Sequence, residues 1–112
     1  MHPWLANYDA SVRPSLAPYP DRTLVDYLRD LAANHGDKPA LLFKGSTVSY
    51  RQLDAASSSF AAALHDLGVR KGDRVALVLP NCPQFLMAEC GAWKIGAIVV
   101  ALNPTYSERE LE

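Results

Sequence analysis

The sequence lacks most of the features that mark nucleic-acid-binding or membrane-spanning proteins. Its formal net charge is only -1 over 112 residues, whereas a polyanion-binding surface needs clustered Lys and Arg. The longest apolar runs, 75–79 and 97–102, are much shorter than the ~20 residues that cross a bilayer. We therefore expect neither a nucleic-acid partner nor a transmembrane segment.

The chain is also poor in cysteine, and its first residues are not expected to be a secretory leader. The first ten residues, "MHPWLANYDA", contain neither a basic region nor a following apolar one, so a cytoplasmic location is expected. Cys82 and Cys90 are eight residues apart, which on one helix separates them by more than about 10 Å. We predict that both are reduced core residues, since a disulfide cannot bridge that distance.

What remains is an ordinary globular composition, with 49% hydrophobic and 21% charged residues, and it predicts one compact α/β unit. Four prolines, at positions 3, 14, 18 and 20, predict an extended arm over residues 1–22, because proline removes backbone donors and disfavours helix at the preceding residue. We expect residues 23–112 to form an incomplete N-terminal α/β subdomain.

A capping box opens the first predicted helix of this subdomain. Thr23 and Asp26 have the spacing at which each side chain bonds the backbone N–H of the other. Apolar residues at helical spacing then continue to about His35, and we expect Gly36 to end the helix in the left-handed conformation.

The next segment predicts a β-hairpin followed by a longer helix. Two β-prone runs flank Gly45-Ser46, a pair typical of two-residue turns. Ser49 and Gln52 form a second capping box, and Gly68 is a natural helix stop. One face of this helix is predicted to be apolar and consists of Tyr50, Leu53, Ser57, Phe60, Leu64 and Leu67.

The last third of the chain predicts a β-α-β unit. The runs 75–79 and 97–102 are continuously apolar, as parallel strands buried on both faces are. Between them, Asn81 or Cys82 is expected to cap a helix with Pro83 in its first turn, and Gly96 to end it. The crossover is expected to be right-handed.

Candidate binding residues occur where these two strands end. Asn81 and Asn103 follow the carboxyl ends, where open α/β sheets bind ligands, but Asn is also a common cap and turn residue, the interpretation we favour. The chain contains neither G-x-G-x-x-G nor G-x-x-x-x-G-K-[ST]. The nearest match, Gly91 to Gly96, lies in and after a helix, which is the wrong order for a phosphate loop.

The remaining reactive side chains are interpreted as structural. Glu89 is a lone acid on an apolar helix, so it must have a charged partner, reach solvent at the rim of the buried surface or have a shifted pKa. A solvated position at the rim is favoured over a catalytic role. His35 is expected near a helix end, His65 and Asp66 are neighbours that do not face each other on a helix, and Ser57–Ser59 lack the glycine elbow of a nucleophile. No catalytic, cofactor-binding or metal-binding residue is therefore assigned.

The chain ends on a helix start. Ser107 and Glu110 form a third capping box, yet a single turn cannot stabilise itself, so the segment is either a frayed tail or the beginning of a helix in a longer protein. Three helices and a hairpin cannot cover two doubly buried strands. We expect an exposed apolar patch that makes the isolated chain oligomeric or aggregation-prone.

Several stretches together resemble the N-terminal region of the AMP-forming acid–CoA ligases, the adenylate-forming superfamily. They are "KPALLF", "VSYRQLD" and the continuous sequence from "AAALHDLGVRKGDRVALVLPNCPQF" to "NPTYSERELE". The resemblance covers about residues 22–112 and implies the N-terminal part of the large domain of the adenylate-forming fold. The opening "HPWLANYDASVRPSL" also resembles the leader of bacterial long-chain fatty acid–CoA ligases.

This resemblance implies a two-step reaction for the parent protein. A fatty acid carboxylate attacks the α-phosphorus of ATP to give an acyl-adenylate, and coenzyme A then forms a thioester, with Mg²⁺ screening the phosphates. The parent would be cytoplasmic or peripheral to the inner membrane face. The family's catalytic motifs are missing from these 112 residues.

Within these residues the resemblance assigns no catalytic role. Lys38, Lys44, Lys71 and Lys94 do not stand in for the family's catalytic lysine. We expect a scaffold that is inactive alone, binds no cofactor and packs against the rest of its own polypeptide. Two alternatives stay open: a ligase for another acid, such as an aryl or amino acid, and a free-standing α/β interaction module.

Overall fold

The computed structural model describes residues 3–111, which form the expected α/β arrangement. The helices are α1 (Leu24–His35), α2 (Tyr50–Asp66), α3 (Pro83–Lys94) and α4 (Glu108–Leu111), and the strands are β1 (Pro39–Phe43), β2 (Ser46–Ser49), β3 (Arg74–Val78) and β4 (Ile98–Leu102). β1 and β2 form an antiparallel hairpin, whereas β3 and β4 form a separate parallel pair.

The arm before α1 is not wholly extended, contrary to the prediction. Residues Pro3–Asn7 form a short 3-10 helix, which proline tolerates at the first position because the N–H there needs no partner. Residues 8–22 form no further helix or strand, and their side chains are exposed. The division of the chain into an arm and a subdomain stays a prediction.

Two of the three predicted capping boxes are confirmed in full, at the starts of α1 and α2. At the third, before α4, the Ser107 amide donates to the Glu110 carboxylate at 2.8 Å. The Thr23 amide donates to the Asp26 carboxylate at 2.8 Å, and the Ser49 amide donates to the Gln52 side chain at 2.8 Å. The prediction for Gly36 is wrong, because its φ of -54° is right-handed. The position instead needs a small residue: a Cβ there would lie 2.5 Å from the carbonyl oxygen of Ala32.

The hairpin turn lies one residue earlier than predicted. Phe43 pairs with Ser46, so the two loop residues are Lys44 and Gly45 rather than Gly45 and Ser46. Both have positive φ, 47° and 80°, as a type I′ turn requires. Lysine seldom adopts this conformation, so the sequence gives little signal for a turn that begins at Lys44.

The predicted β-α-β unit is confirmed, with β3 and β4 in parallel register from Arg74 opposite Ile98 onward. Cys82 is the cap of α3 but makes no side-chain capping bond, and Pro83 begins the helix. The turn before β3 is joined to the start of β4, because the Ile98 amide donates to the Asp73 carbonyl at 2.8 Å. This bond sets where the parallel pairing begins.

Helices α2 and α3 pack closely through small residues. Ser57 has no exposed surface, and a Cβ on Gly91 would lie 2.7 Å from the Ser57 carbonyl oxygen. Ser57 is therefore part of the core. Two apolar clusters continue the core on either side; their buried members are Leu28, Leu53 and Cys90 in one, and Leu64, Ala92 and Ala97 in the other.

Within residues 3–111, the strands β3 and β4 are covered on one face and open on the other, so they are not buried on both faces, and the expected exposed apolar patch lies on the outer face. The inner face, formed by Val75, Leu77 and Val99, lies against α2 and α3. The outer face, formed by Ala76, Val78, Ile98 and Val100, is exposed. Its larger side chains retain substantial exposure, 51% for Val78 and 49% for Ile98. The continuously apolar sequence of the two strands indicates that both faces of the sheet are suited to burial, but it does not identify the element that covers each face.

Leu67 also departs from its predicted place on the buried face of α2. Its side chain is 81% exposed. It lies at the C-cap, beyond the last turn of the helix, where its backbone N–H donates to the Ala63 carbonyl. The backbone of Leu67 is still helical, and the chain turns away at the next residue, Gly68, which has a φ of 95°.

Candidate functional site

A cleft of about 480 Å³ lies at the carboxyl ends of β3 and β4, where the sequence placed the candidate binding residues. It is lined by Leu79, Pro80, Asn81, Phe85, Ala101, Leu102, Asn103, Pro104 and Thr105. The parallel pairing brings the two asparagines to the same cleft, because both strands end at the same edge.

The two asparagines differ in what their side chains are free to do. Asn103 Oδ1 accepts from the Thr105 amide at 3.0 Å and from the Thr105 hydroxyl at 2.9 Å. This oxygen therefore holds the turn after β4, as Asx turns do. Asn81 is exposed and, within residues 3–111, its side chain makes no hydrogen bond. One exposed amide in an otherwise apolar cleft provides no catalytic set.

A larger cavity of about 660 Å³ lies beside the start of α1. Arg29 and Lys71 line it, but so does Asp26. Hydrogen bonds from Thr23 lower the pKa of the Asp26 carboxyl, so a negative charge already occupies the helix N-terminus. The N-terminus of α1 beside this cavity therefore already has a compensating negative charge and does not by itself provide an anion site.

Lys94 forms the main polar contact between α2 and α3. Its Nζ donates to Asp54 Oδ1 at 2.7 Å, to the Asp54 carbonyl at 2.8 Å and to Ser58 Oγ at 2.8 Å. The side chain is only 8% exposed, and its three N–H donors are all used. Sequence reasoning missed this contact, because a separation of forty residues leaves no local signal.

Glu89 lies on α3 in a partly buried position, and this burial raises the pKa of its carboxyl. The side chain forms no salt bridge with any residue of the described chain. Burial likewise raises the pKa of the Cys90 thiol, with a smaller contribution from the Glu89 charge. A thiol shifted in this direction is a poor nucleophile, in agreement with the prediction for Cys90. Cys82, which was also predicted to lie in the core, is only half-buried at the cap of α3.

The other reactive side chains have structural partners or solvent around them. The hydroxyls of Ser57 and Ser58 both donate to the Asp54 carbonyl, so they are bound to their own helix. His65 Nδ1 lies 3.9 Å from Asp66 Oδ1, and both side chains are mostly exposed. That distance is beyond hydrogen bonding, so the two residues do not form a catalytic dyad.

The residues present do not fit ATP or a metal ion. Lys94 is fully engaged, and the segment from Gly91 to Gly96 is helix and turn rather than a phosphate loop. Between residues 3 and 111, no three His, Cys, Asp or Glu side chains cluster as metal ligands. Over the same residues, no helix is both long and apolar enough to span a membrane.

Comparison with known proteins gives a consistent set of relatives. The family model described as AMP-binding enzyme matches residues 28–112. A long-chain fatty acid–CoA ligase of Bacillus subtilis is 43% identical over 110 residues, which is 98% of this chain and 20% of the relative. A crotonobetaine/carnitine–CoA ligase of Salmonella paratyphi A is 48% identical over 79 residues, covering 66% of this chain and 15% of the relative.

Solved structures show the same arrangement of elements. The NpsA N-terminal subdomain of Klebsiella oxytoca, in complex with anthranilyl-AMSN, aligns with a TM-score of 0.80 and 29% identity over 87% of this chain and 25% of that one. A fatty acid AMP ligase from Legionella pneumophila aligns with a TM-score of 0.72 and 32% identity, covering 80% and 16%. With a family model that spans most of its length, the chain belongs to the AMP-binding enzyme family.

Proposed function

We propose that this chain is the N-terminal scaffold segment of an ATP-dependent long-chain fatty acid–CoA ligase. The observation that carries the proposal is the match to the B. subtilis long-chain ligase over 98% of the chain. That match includes the N-terminal arm, whereas the crotonobetaine/carnitine ligase match covers 66%. The arm therefore favours the long-chain class over other acids.

In the parent protein, a fatty acid carboxylate would attack the α-phosphorus of ATP and release pyrophosphate. The thiol of coenzyme A would then attack the acyl-adenylate and release AMP, leaving a thioester. The chain spans about a fifth of the length of the long-chain ligases it matches. We infer that ATP, Mg²⁺ and coenzyme A bind in the other four-fifths, because no phosphate cradle or metal cluster lies within the described residues.

The proposed role of this segment is mechanical. The contacts between α2 and α3, through Ser57, Gly91 and Lys94, give a rigid pair of helices beneath β3 and β4. Such a layer can support the subdomain that binds nucleotide, but it cannot ligate an acid by itself. We therefore infer that the isolated 112-residue chain is inactive.

We further infer that the isolated chain self-associates. The outer face and the C-cap residue Leu67 leave large aliphatic side chains in water, with Leu67 81% and Val78 51% exposed. Exposed apolar surface of this kind drives association. In the cell, we propose that the parent is cytoplasmic, or peripheral to the inner membrane face where its lipid substrate would be available.

A second candidate is a ligase for a different acid. The similarity to a crotonobetaine/carnitine–CoA ligase and to NpsA, whose solved complex contains anthranilyl-AMSN, supports this alternative. The exposed cleft at Asn81 and Asn103 does not favour one acid over another, because most of its lining is apolar and it lies at the open edge of the sheet. A free-standing interaction module is the remaining alternative.

An ATP–pyrophosphate exchange assay with a panel of acids separates these functions. The full-length protein encoded by the reading frame is assayed with palmitate, crotonobetaine and anthranilate, beside the 112-residue chain. We expect exchange with palmitate for the full-length protein and background for the short chain. Exchange with anthranilate or crotonobetaine alone would support the second candidate, and exchange by the short chain would refute the scaffold role.

A further inference from the structure

The cavity of about 660 Å³ beside the start of α1 lies at the amino ends of β3 and β4, whereas the cleft at Asn81 and Asn103 lies at their carboxyl ends. Lys71 belongs to the turn before β3, and Ala97 directly precedes β4. The first turn of α1 forms the other wall of the cavity. Neither the proposed ligase reaction nor the scaffold role gives this cavity a purpose.

Most of the exposed wall of the cavity is apolar. Its apolar lining consists of Leu24, Val25, Trp93, Ile95 and Ala97. Leu24 is the first residue of α1 and is 65% exposed, so a ligand in the cavity would remove part of an aliphatic side chain from water. A volume of this size and a mainly apolar wall that includes an aromatic ring are typical of sites for small organic molecules.

Lys71 is held at the edge of this cavity by the turn before β3. The Gly72 amide donates to the Gly96 carbonyl at 2.9 Å, which fixes the turn against the start of β4. The stem of Lys71 crosses Gly96 so closely that a Cβ there would lie 2.8 Å from the Lys71 Cγ. The absence of a side chain at Gly96 therefore gives the Lys71 side chain its path beside the cavity.

The charged side chains that line the cavity have partners, except for Lys71. Arg29 Nη1 lies 3.9 Å from Asp26 Oδ1, and the Lys94 ammonium is bound to Asp54. Within residues 3–111, the Lys71 side chain is exposed and forms no ion pair. One unpaired positive charge beside an apolar wall suits a ligand that has one negative charge and an apolar body.

We propose that this cavity binds a small aromatic carboxylate, with its carboxylate at the Lys71 ammonium and its ring against Trp93. The indole of Trp93 favours an aromatic body, because aromatic rings attract one another in offset and edge-to-face arrangements. Lys71 is open to water, where an ion pair contributes little, so we expect a dissociation constant of about 0.1–1 mM. The proposal concerns binding at the amino ends of the strands and does not depend on the proposed ligase function.

Photoaffinity labelling tests the site with 4-benzoylbenzoate, a photoreactive aromatic monoanion, and with 4-benzoylbenzamide, its uncharged counterpart. The full-length protein and the 112-residue chain are irradiated with each probe, and the labelled peptides are mapped by mass spectrometry. We expect the carboxylate to label the peptides that contain Leu24 and Ile95 in both proteins, and the amide to label them about three- to fivefold less.

A matched pair of variants isolates the charge of Lys71. Lys71→Met keeps an unbranched stem across Gly96 and removes the ammonium, so labelling by the carboxylate should fall by the same factor. Lys38→Met removes an exposed ammonium outside the cavity and should leave the labelling unchanged. Lys71→Gln is a second uncharged variant, and circular dichroism spectra show which variants are folded.

Several results would overturn the proposal. Equal labelling of the cavity peptides by the two probes, or equal labelling of Lys71→Met and the unaltered protein, would show that the apolar wall alone holds the probe. Labelling confined to other peptides would place the site elsewhere. Labelling of the short chain without labelling of the full-length protein would show that the rest of the polypeptide fills the cavity. Because the readout is labelling, absence of ligase activity would leave each of these results unchanged.

Discussion

Replacement of Lys94 by methionine removes the ammonium that joins α2 to α3 while it keeps an unbranched side chain of similar length. In the structure the Lys94 side chain is 8% exposed, and its ammonium donates to three oxygens, two on Asp54 and one on Ser58. The Lys94→Met variant removes this donor from all three oxygens, although the Asp54 carbonyl still accepts from the Ser57 and Ser58 hydroxyls. It tests whether α2 and α3 are held together by this polar contact or by apolar packing alone.

The expected loss in the free energy of unfolding depends on how far water can hydrate the oxygens that lose the Lys94 donor. Removal of one partner of a fully buried ion pair costs about 3–5 kcal/mol. The Asp54 side chain is 33% exposed, so its carboxylate regains part of its hydration. Methionine also packs well against its apolar neighbours. We therefore expect the free energy of unfolding to fall by about 2 kcal/mol.

Urea denaturation of the 112-residue chain measures this loss, with tryptophan fluorescence and the circular dichroism of the helices as two probes. Every variant is measured at the same protein concentration, because the isolated chain is expected to self-associate. A double-mutant cycle with Asp54→Asn isolates the pair, and we expect a coupling energy of about 1 kcal/mol or more. If Lys94→Met unfolds within about 0.5 kcal/mol of the parent chain and the coupling is zero, the contact does not stabilise the helix pair and our reasoning is wrong.

Three further predictions concern a buried acid, a cap and a turn. Glu89→Gln should stabilise the chain at pH 7, because burial raises the folded-state pKa of this carboxyl. The cost of ionising Glu89 in the folded state is absent below the unfolded pKa of about 4.3 and grows as the pH rises through the folded pKa. A urea series from pH 3 to 8 should show a difference between variant and parent chain only at the upper end, and an equal difference at every pH would contradict this prediction. Ser49→Ala should lower the free energy of unfolding by about 1 kcal/mol, because Ser49 caps α2. The control Ser59→Ala removes only a hydrogen bond within the same helix and should be nearly neutral. Equal losses for the two variants in urea denaturation would argue against the cap. Lys44→Asn should raise the thermal midpoint, because asparagine tolerates the positive φ of this position better than lysine, and a lower midpoint would exclude the type I′ turn.

Local features of the fold were predictable from the sequence. The capping boxes at Thr23 and Ser49 involve residues three apart, so their geometry is contained in a few adjacent residues. The helix end at Gly68, with a φ of 95°, follows from the same short-range chemistry. The family resemblance also depended on short contiguous motifs, and the family model that matches residues 28–112 confirms it.

Features that depend on distant residues were not predictable in this way. The turn at Lys44 was misplaced because its register depends on how Phe43 pairs across the hairpin. Gly36 was assigned a left-handed conformation, although its small size is needed for the close approach of the Ala32 carbonyl. Asn81 and Asn103 were expected at neighbouring strand ends, and both line one cleft there. Only the contacts of Thr105 show that the side-chain oxygen of Asn103 is already used.

The sequence by itself determined the order of elements, the caps, the parallel β-α-β unit and the family, because each is encoded by neighbouring residues. Only the tertiary structure decided that Lys94 reaches Asp54 across forty residues, that Ser57 packs against Gly91, and that β3 and β4 are covered on one face. A continuously apolar segment indicates how much apolar surface favours burial. It does not specify which element covers that surface, because the hydrophobic effect is non-directional and any apolar partner of suitable shape can bury it.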